Sequence, residues 1–456
     1  MGPLLANRLP SARHSCSRSP FVYCLISFLV LYFLLIQYCR THFYRDPTSS
    51  FFDSRRAYDQ VYSGFRSTQA TRFIYNIDAL ADSWKDDRTA SLNQTDAWTA
   101  SKNASVCVGI ASVAREGVSY IEGAVGSLLM DLGPDERDDI YLILFIPHAD
   151  PTVHPSYSSR WLFAMADKVL LYNEEDLGFV KELENHDKLG KTKALFDYVY
   201  LLKACEAVGT PYVLMLEDDV VALDGWHHRT KHALDAAEQQ TRQLGASGYL
   251  YLRLFYTHKF LGWNKEELPT YLFYSLLTVL SVGTLLLLAR RYAPASPLHR
   301  LLSNEIILFL TFVGTPLCII LFFSAGRASM LPIPPGVHSM PRFGCCSQAL
   351  VFPHSRVADV ISWYESKQQG FADSLLEEYA NSRDELRWAL TPSVFQHVGV
   401  VSSKYDDQTG TKRRAAKSIW NFEFEDNDPM ALQREHERAR EIAAAAAQEA
   451  AKDAGE

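Results

Sequence analysis

The chain has 456 residues, 48% hydrophobic, 21% charged and 12% aromatic, with a formal net charge of −8. This composition excludes collagen-like, cysteine-scaffolded and wholly disordered chains. The acidic balance excludes a global basic footprint, so nucleic acid is not an expected partner.

Residues 1–20 form a short arm with Arg8, Arg13 and Arg18 and no acidic residue. Phe21 to Cys39 then runs 19 residues without a charge, about the length that crosses a bilayer. A cleaved signal peptide is disfavoured, because the apolar stretch exceeds the usual ~7–15-residue core of such a peptide. Residues 40–105 are polar and poorly periodic and read as a stem with some helix. A βα alternation follows over residues 106–260: strands at Val106–Ser112, Asp139–Pro147, Lys168–Tyr172, Tyr212–Leu216 and Tyr249–Phe255, and helices at Tyr120–Leu132, Thr192–Val208 and Asp224–Leu244. Two more uncharged segments, residues 271–289 and 306–323, are long enough to span a bilayer and flank a loop at 290–305. Residues 331–410 resume the globular pattern, with a proline-rich connector at Leu331–Pro341, a strand at Cys345–Phe352 and a helix at Asp373–Leu390. Residues 411–456 are charged, then alanine-rich, and read as frayed helix or disorder. The expected fold class is therefore α/β, with a mostly parallel sheet covered by helices on both faces. A transmembrane helical hairpin interrupts it, and an N-terminal anchor precedes it.

Arg290, Arg291 and Arg300 against Glu305 place the 290–305 loop in the cytosol by the positive-inside rule, together with the arginine-bearing N-terminus. Residues 40–270 and 324–456 then share the luminal side, which also holds the sequons at Asn93 and Asn103. Cys107, Cys205, Cys345 and Cys346 fall there, and four cysteines leave three full pairings open.

The strongest chemical signal is Glu217-Asp218-Asp219 directly after the strand YVLML. Carboxylates at a strand's carboxyl end are hard-oxygen donors for Mn²⁺ or Mg²⁺, and such an ion stabilises a departing diphosphate as a Lewis acid. An exposed acidic turn has the same sequence. His397, in PSVFQHVG, offers a neutral imidazole to a metal, or a structural hydrogen bond. Asp373 begins a helix and can act as a general base or as an N-cap. Ser112 and Arg115 follow the first strand, where a loop can meet a nucleotide, and Lys191 and Lys193 precede a helix and can face phosphate. His227 and His228, beside Trp226, read as surface or packing residues.

The runs GIASVAREGVSYIEGAVGSLL, DIYLILFIPHAD and TKALFDYVYLLKACEAVGTPYVLMLEDDVV resemble the catalytic domain of the N-acetylglucosaminyltransferase IV family, and PSVFQHVGVVSS resembles that family's C-terminal motif. The layout, with a membrane hairpin between Phe260 and Leu331, is similar to the post-GPI-attachment GalNAc-transferases. The resemblance spans roughly residues 100–405. It implies a glycosyltransferase-A domain in the Golgi membrane, multi-pass with its catalytic part luminal, and an inverting, Mn²⁺-dependent transfer from a UDP-sugar to a GPI glycan or GPI-anchored protein. Carried over by position, Asp219 and His397 become metal ligands and Asp373 the base. Ser112, Arg115, Lys193, Glu217 and Asp218 become donor-binding residues. A transferase acting on N-glycans and a non-catalytic membrane protein that binds glycans or escorts GPI-anchored proteins are the alternatives.

Overall fold

The computed structural model describes residues 20–83, 104–187, 190–292, 301–340, 346–400 and 418–453. Asn93, Asn103 and Cys345 lie outside them. The chain divides into two compact units, one comprising Met1–Tyr44, Ser49–Phe52 and Trp263–Met330, and the other Arg45–Thr48, Asp53–Gly262 and Leu331–Glu456.

The first unit is helical. Pro20–His42, Leu268–Tyr292 and Asn304–Ser324 are long and apolar enough to cross a membrane. Each extends the expected uncharged segment by a few residues at one or both ends. The third contains a π-helical turn at Leu310–Gly314. Pro316 explains it, because proline supplies no N–H and crowds the preceding turn, and one widened turn absorbs both defects. The Tyr32 hydroxyl donates to the Leu317 carbonyl at 3.0 Å, and Phe28 packs edge-on against Phe309. In hydrocarbon, such packing and interhelical hydrogen bonds hold helices together.

The second unit is built on strands β1 Val106–Ala111, β2 Ile140–Phe145, β3 Lys168–Leu170, β4 Tyr212–Glu217, β5 Val220–Ala222, β6 Tyr251–Arg253, β7 Gly336–Ser339, β8 Ala349–Pro353, β9 Arg387–Thr391 and β10 Phe395–His397. Eight of them form one sheet in the order β3-β2-β1-β4-β8-β6-β9-β7, and β5 pairs with β10. The β3-β2-β1-β4 half is parallel, β8 runs antiparallel to both β4 and β6, and β6 is parallel to β9. Side chains alternate across a strand, so each strand feeds two cores. Val106, Val108, Ile110, Leu214 and Leu216 pack on one face with the helices Ile121–Leu129 and Trp226–Gln243. Cys107, Val213 and Met215 pack on the other with the helices Lys191–Glu206 and His354–Lys367. Both faces are covered, which is why these strands read as continuous apolar runs.

Two elements differ from the sequence-based expectation, and two helices within its loosely helical stem and tail are packed into the unit. Tyr62–Ser83, within the expected stem, is a helix whose Tyr62, Ala70 and Ile74 are buried in this unit. Its Arg66 donates to the Ser127 and Ala222 carbonyls and pairs with Asp131 at 2.6 Å. The proline-rich connector contains β7, an edge strand antiparallel to β9; an edge tolerates nearby proline because half its backbone groups need no partner. The expected helix Asp373–Leu390 is a helix, Ala372–Arg383, followed by β9. Asp384 in the left-handed region (φ 52°) ends the helix. The alanine-rich tail includes a 25-residue helix, Pro429–Asp453, with Leu432 and His436 buried.

Among the described cysteines, Cys107 and Cys205 are free, buried and hydrogen-bonded to each other, whereas Cys346 is disulfide-bonded. Every other described cysteine is free, so the partner of Cys346 lies outside the described residues.

Candidate active site

In parallel sheets, ligand sites form beyond the carboxyl ends of the strands. β1 and β4 are neighbours in register, with Ala111 opposite Glu217. The loop after β1 and the acidic triplet after β4 therefore emerge side by side.

The three carboxylates point to three different partners. Glu217 accepts from Ser347 Oγ at 2.5 Å and from Gln348 Nε2 at 3.2 Å. Asp218 turns inward. Arg115 grips it through two nitrogens at 2.6 and 2.7 Å, and Ser112 Oγ donates to it at 2.6 Å. Burial pushes the Asp218 carboxyl up, while Arg115 and Ser112 pull it back. For Arg115, burial favours loss of charge, but Asp218 outweighs it and keeps the guanidinium charged. Arg115 also lies 5.2 Å from the centre of the Tyr120 ring. His154 Nε2 meets Ser112 Oγ at 3.0 Å.

Asp219 faces His397, whose Nε2 is 3.3 Å from Asp219 Oδ2. The short ribbon creates this pair: His397 sits opposite Val220 in the β5–β10 pairing, and Val398 N donates to the Asp219 carbonyl at 2.8 Å. The other ring nitrogen of His397, Nδ1, is 3.0 Å from the Ile419 carbonyl. Donation from Nδ1 directs the Nε2 lone pair at Asp219. Burial lowers the affinity of His397 for a proton, but Asp219 outweighs it and the net shift is upward. A buried site that draws a proton between a carboxylate and an imidazole draws a divalent cation by the same charge. Gly399 leaves room for it, since a Cβ there would stand 2.1 Å from Asp219 Oδ2 and 2.8 Å from His397 Nε2. An oxygen and an imidazole nitrogen, buried together in a cradle that a methyl would fill, fit Mn²⁺.

The remaining candidates lie apart from this pair. Asp373 stands in the first turn of its helix, accepting from Ser374 N at 2.7 Å. Its charge, like that of Glu217, raises the buried Tyr198 hydroxyl. Lys193 bonds the Pro147 carbonyl at 2.6 Å and Asp197 at 2.9 Å.

His154, Tyr120 and Gly399 escaped the sequence reading. The only available signal was for Gly399, a glycine two residues after the singled-out histidine.

His148 adds a pH dependence. Its Nε2 accepts from Ala114 N at 2.9 Å and so supports the loop that carries Ser112 and Arg115. Burial, then Lys193, depresses the ring from 6.5 to about 4. A depressed histidine contributes stability that is present above pH 6.5 and is lost as pH falls through about 4. The thermal midpoint is expected to fall across that window in the wild type and less steeply in His148→Gln, which keeps an acceptor without titrating. Equal slopes rule out the imidazole as the responsible group.

The family described as GPI-N-acetylgalactosamine transferase PGAP4 matches residues 106–396. The chain is also 30% identical over 133 residues to alpha-1,3-mannosyl-glycoprotein 4-beta-N-acetylglucosaminyltransferase B of Danio rerio, covering 26% of this chain and 24% of that protein. The Mus musculus protein of the same name is 30% identical over 135 residues, with the same coverage. The chain therefore aligns with about a quarter of the length of these relatives. The family match runs from β1 into β10 and takes in the β1 loop, the acidic triplet and Asp373, and on that extent the chain belongs to the GPI-N-acetylgalactosamine transferase PGAP4 family.

Proposed function

We propose that the protein is a multi-pass Golgi membrane glycosyltransferase, with its α/β unit in the lumen. It transfers an N-acetylhexosamine, GalNAc in the family's description, from a UDP-sugar to the mannose core of a GPI anchor with inversion at the anomeric carbon. The observation that carries this reading is the buried Asp219–His397 pair at the carboxyl end of β4, cradled by Gly399, within a chain of this family. Mn²⁺ held by Asp219 and His397 would supply Lewis-acid stabilisation of the departing diphosphate. Arg115 and Ser112 fix Asp218 and so set the loop beside the donor. Asp373 accepts the proton of the attacking mannose hydroxyl as its oxygen bonds to the anomeric carbon and the bond to UDP breaks. The mannosyl-glycoprotein acceptor in the relatives' names favours a second reading, transfer to an N-glycan.

Mass spectrometry of GPI glycans and N-glycans separates the readings. Cells lacking the protein, re-supplied with wild type or Asp219→Ala, are expected to regain one N-acetylhexosamine on their GPI glycans with wild type only. Restoration confined to N-glycans establishes the second reading. Glycans of both kinds unchanged in all three lines overturn the transferase assignment.

A further inference from the structure

A second group of potential metal donors lies away from the Asp219–His397 pair. Glu136 comes from the short helix Pro134–Asp138, His228 from the first turn of the helix Trp226–Gln243, and His436 from the C-terminal helix Pro429–Asp453. One donor atom from each lies within 4.8 Å of the other two. The three elements are far apart in sequence, so their convergence is a product of the fold.

The details are those of a built site. His436 Nε2 stands 2.9 and 3.1 Å from the two oxygens of Glu136, and its Nδ1 is 2.6 Å from Asp224 Oδ1. A carboxylate on the far nitrogen is the outer partner that fixes ring and tautomer in metal-binding histidines. Glu136 is held in turn by Gly133 N at 2.9 Å. The His228 ring lies nearly parallel to that of His436, with centroids 5.5 Å apart. Its Nδ1 is buried with no hydrogen-bond partner among the described residues, a cost that buried polar atoms seldom bear. Gly225 (φ 78°) admits the ring there, because a Cβ would stand 2.4 Å from His228 Cε1. The side chains of Glu136, His228 and His436 are 12, 15 and 4% exposed, so the three donors are mostly withdrawn from solvent.

We infer that Glu136, His228 and His436 bind a zinc-type divalent ion that fastens the C-terminal helix to the α/β unit. Two imidazoles and one carboxylate form a borderline donor set suited to Zn²⁺. Tetrahedral Zn²⁺ with bonds near 2.0–2.1 Å sets its donors about 3.3 Å apart, so side-chain shifts of the order of an ångström close the set, and water completes it. When the ion binds, it takes the place of the proton that otherwise bridges His436 and Glu136. The site is structural. His227, next to His228, bonds Asp139 at the amino end of β2, whereas Asp219 lies at the carboxyl end of β4. The six-residue strands separate those ends by roughly 20 Å.

The test uses full-length protein in detergent, stripped of loosely held metal and analysed by elemental mass spectrometry, with zinc alone added back. The inference expects about one zinc per chain in the wild type and in Asp219→Ala, and background zinc in His228→Ala and in the milder His228→Gln. A strong chelator should lower the thermal midpoint of the wild type but not of His228→Gln, and zinc, not manganese, should restore it. A wild-type chain that takes up no zinc at micromolar concentration overturns the inference without calling on any variant. Equal zinc in wild type and both His228 variants, or zinc lost from Asp219→Ala and kept in His228→Gln, also overturns it.

Discussion

Asp219→Ala is expected to lower transferase activity at saturating Mn²⁺ by at least about a hundredfold while leaving the fold intact. Removing even an outer-shell partner of a metal ligand typically costs about 10–100-fold, and Asp219 is the proposed ligand itself. The β5–β10 pairing should persist, because the main-chain contact from Val398 N to the Asp219 carbonyl survives the substitution. Gly399→Ala supplies an independent route to the same defect. Its methyl would fall 2.1 Å from Asp219 Oδ2 and displace the carboxylate with every donor group retained. Two readouts settle the matter: product formation against Mn²⁺ concentration, and thermal unfolding of each variant. Near-wild-type turnover in Asp219→Ala would sink the metal assignment.

Arg115→Met should destabilise the α/β unit by about 3–5 kcal/mol, the usual cost of stranding one member of a buried ion pair. The Arg115 and Asp218 side chains are 8% and 4% exposed, and two guanidinium nitrogens hydrogen-bond the same carboxylate. Removing it leaves Asp218 with Ser112 as its recorded partner. The double substitution Arg115→Met/Asp218→Asn should recover part of the loss, because the neutral amide no longer carries an uncompensated charge. Denaturant unfolding of the wild type and of these two variants measures this. A single-variant loss below about 1 kcal/mol would mean that the pair is solvated rather than buried.

Run length and apolar character made much of the architecture legible. The three long helices, β1, β2, β4 and β8 all lie on uncharged or nearly uncharged stretches, and their bounds differ from expectation by a few residues. Elements whose burial is polar were illegible. The helix Tyr62–Ser83 is anchored by Arg66 and Ser63, residues that any hydropathy count assigns to solvent. β7 was hidden by flanking prolines, and β9 by a helical pattern that ends at Asp384 without a glycine or proline to mark it. Within the site, the triplet announced an acidic strand end but not its division of labour. Which of Asp218 and Asp219 turns toward Arg115 and which toward His397 follows from the ribbon formed with β10, about 175 residues away, and pairings at that separation leave no local trace. His227 and His228, read as surface or packing residues, pack against Asp139 and His436, partners from distant segments that no local pattern names.

The position of β8 sets the order in which the protein can be made. It lies between β4 and β6, in the middle of the sheet, yet it is encoded after both apolar helices Leu268–Tyr292 and Asn304–Ser324. When β6 has been made, the β3-β2-β1-β4 half-sheet exists beside a lone β6, and β7, β8 and β9 are all still to come. The missing strand β8 emerges only after both apolar helices have been made. Until then β4 and β6 each offer a bare hydrogen-bonding edge, the feature most prone to wrong pairing. Completion of the sheet thus waits on the two apolar helices, and a chain interrupted within them cannot close its α/β unit.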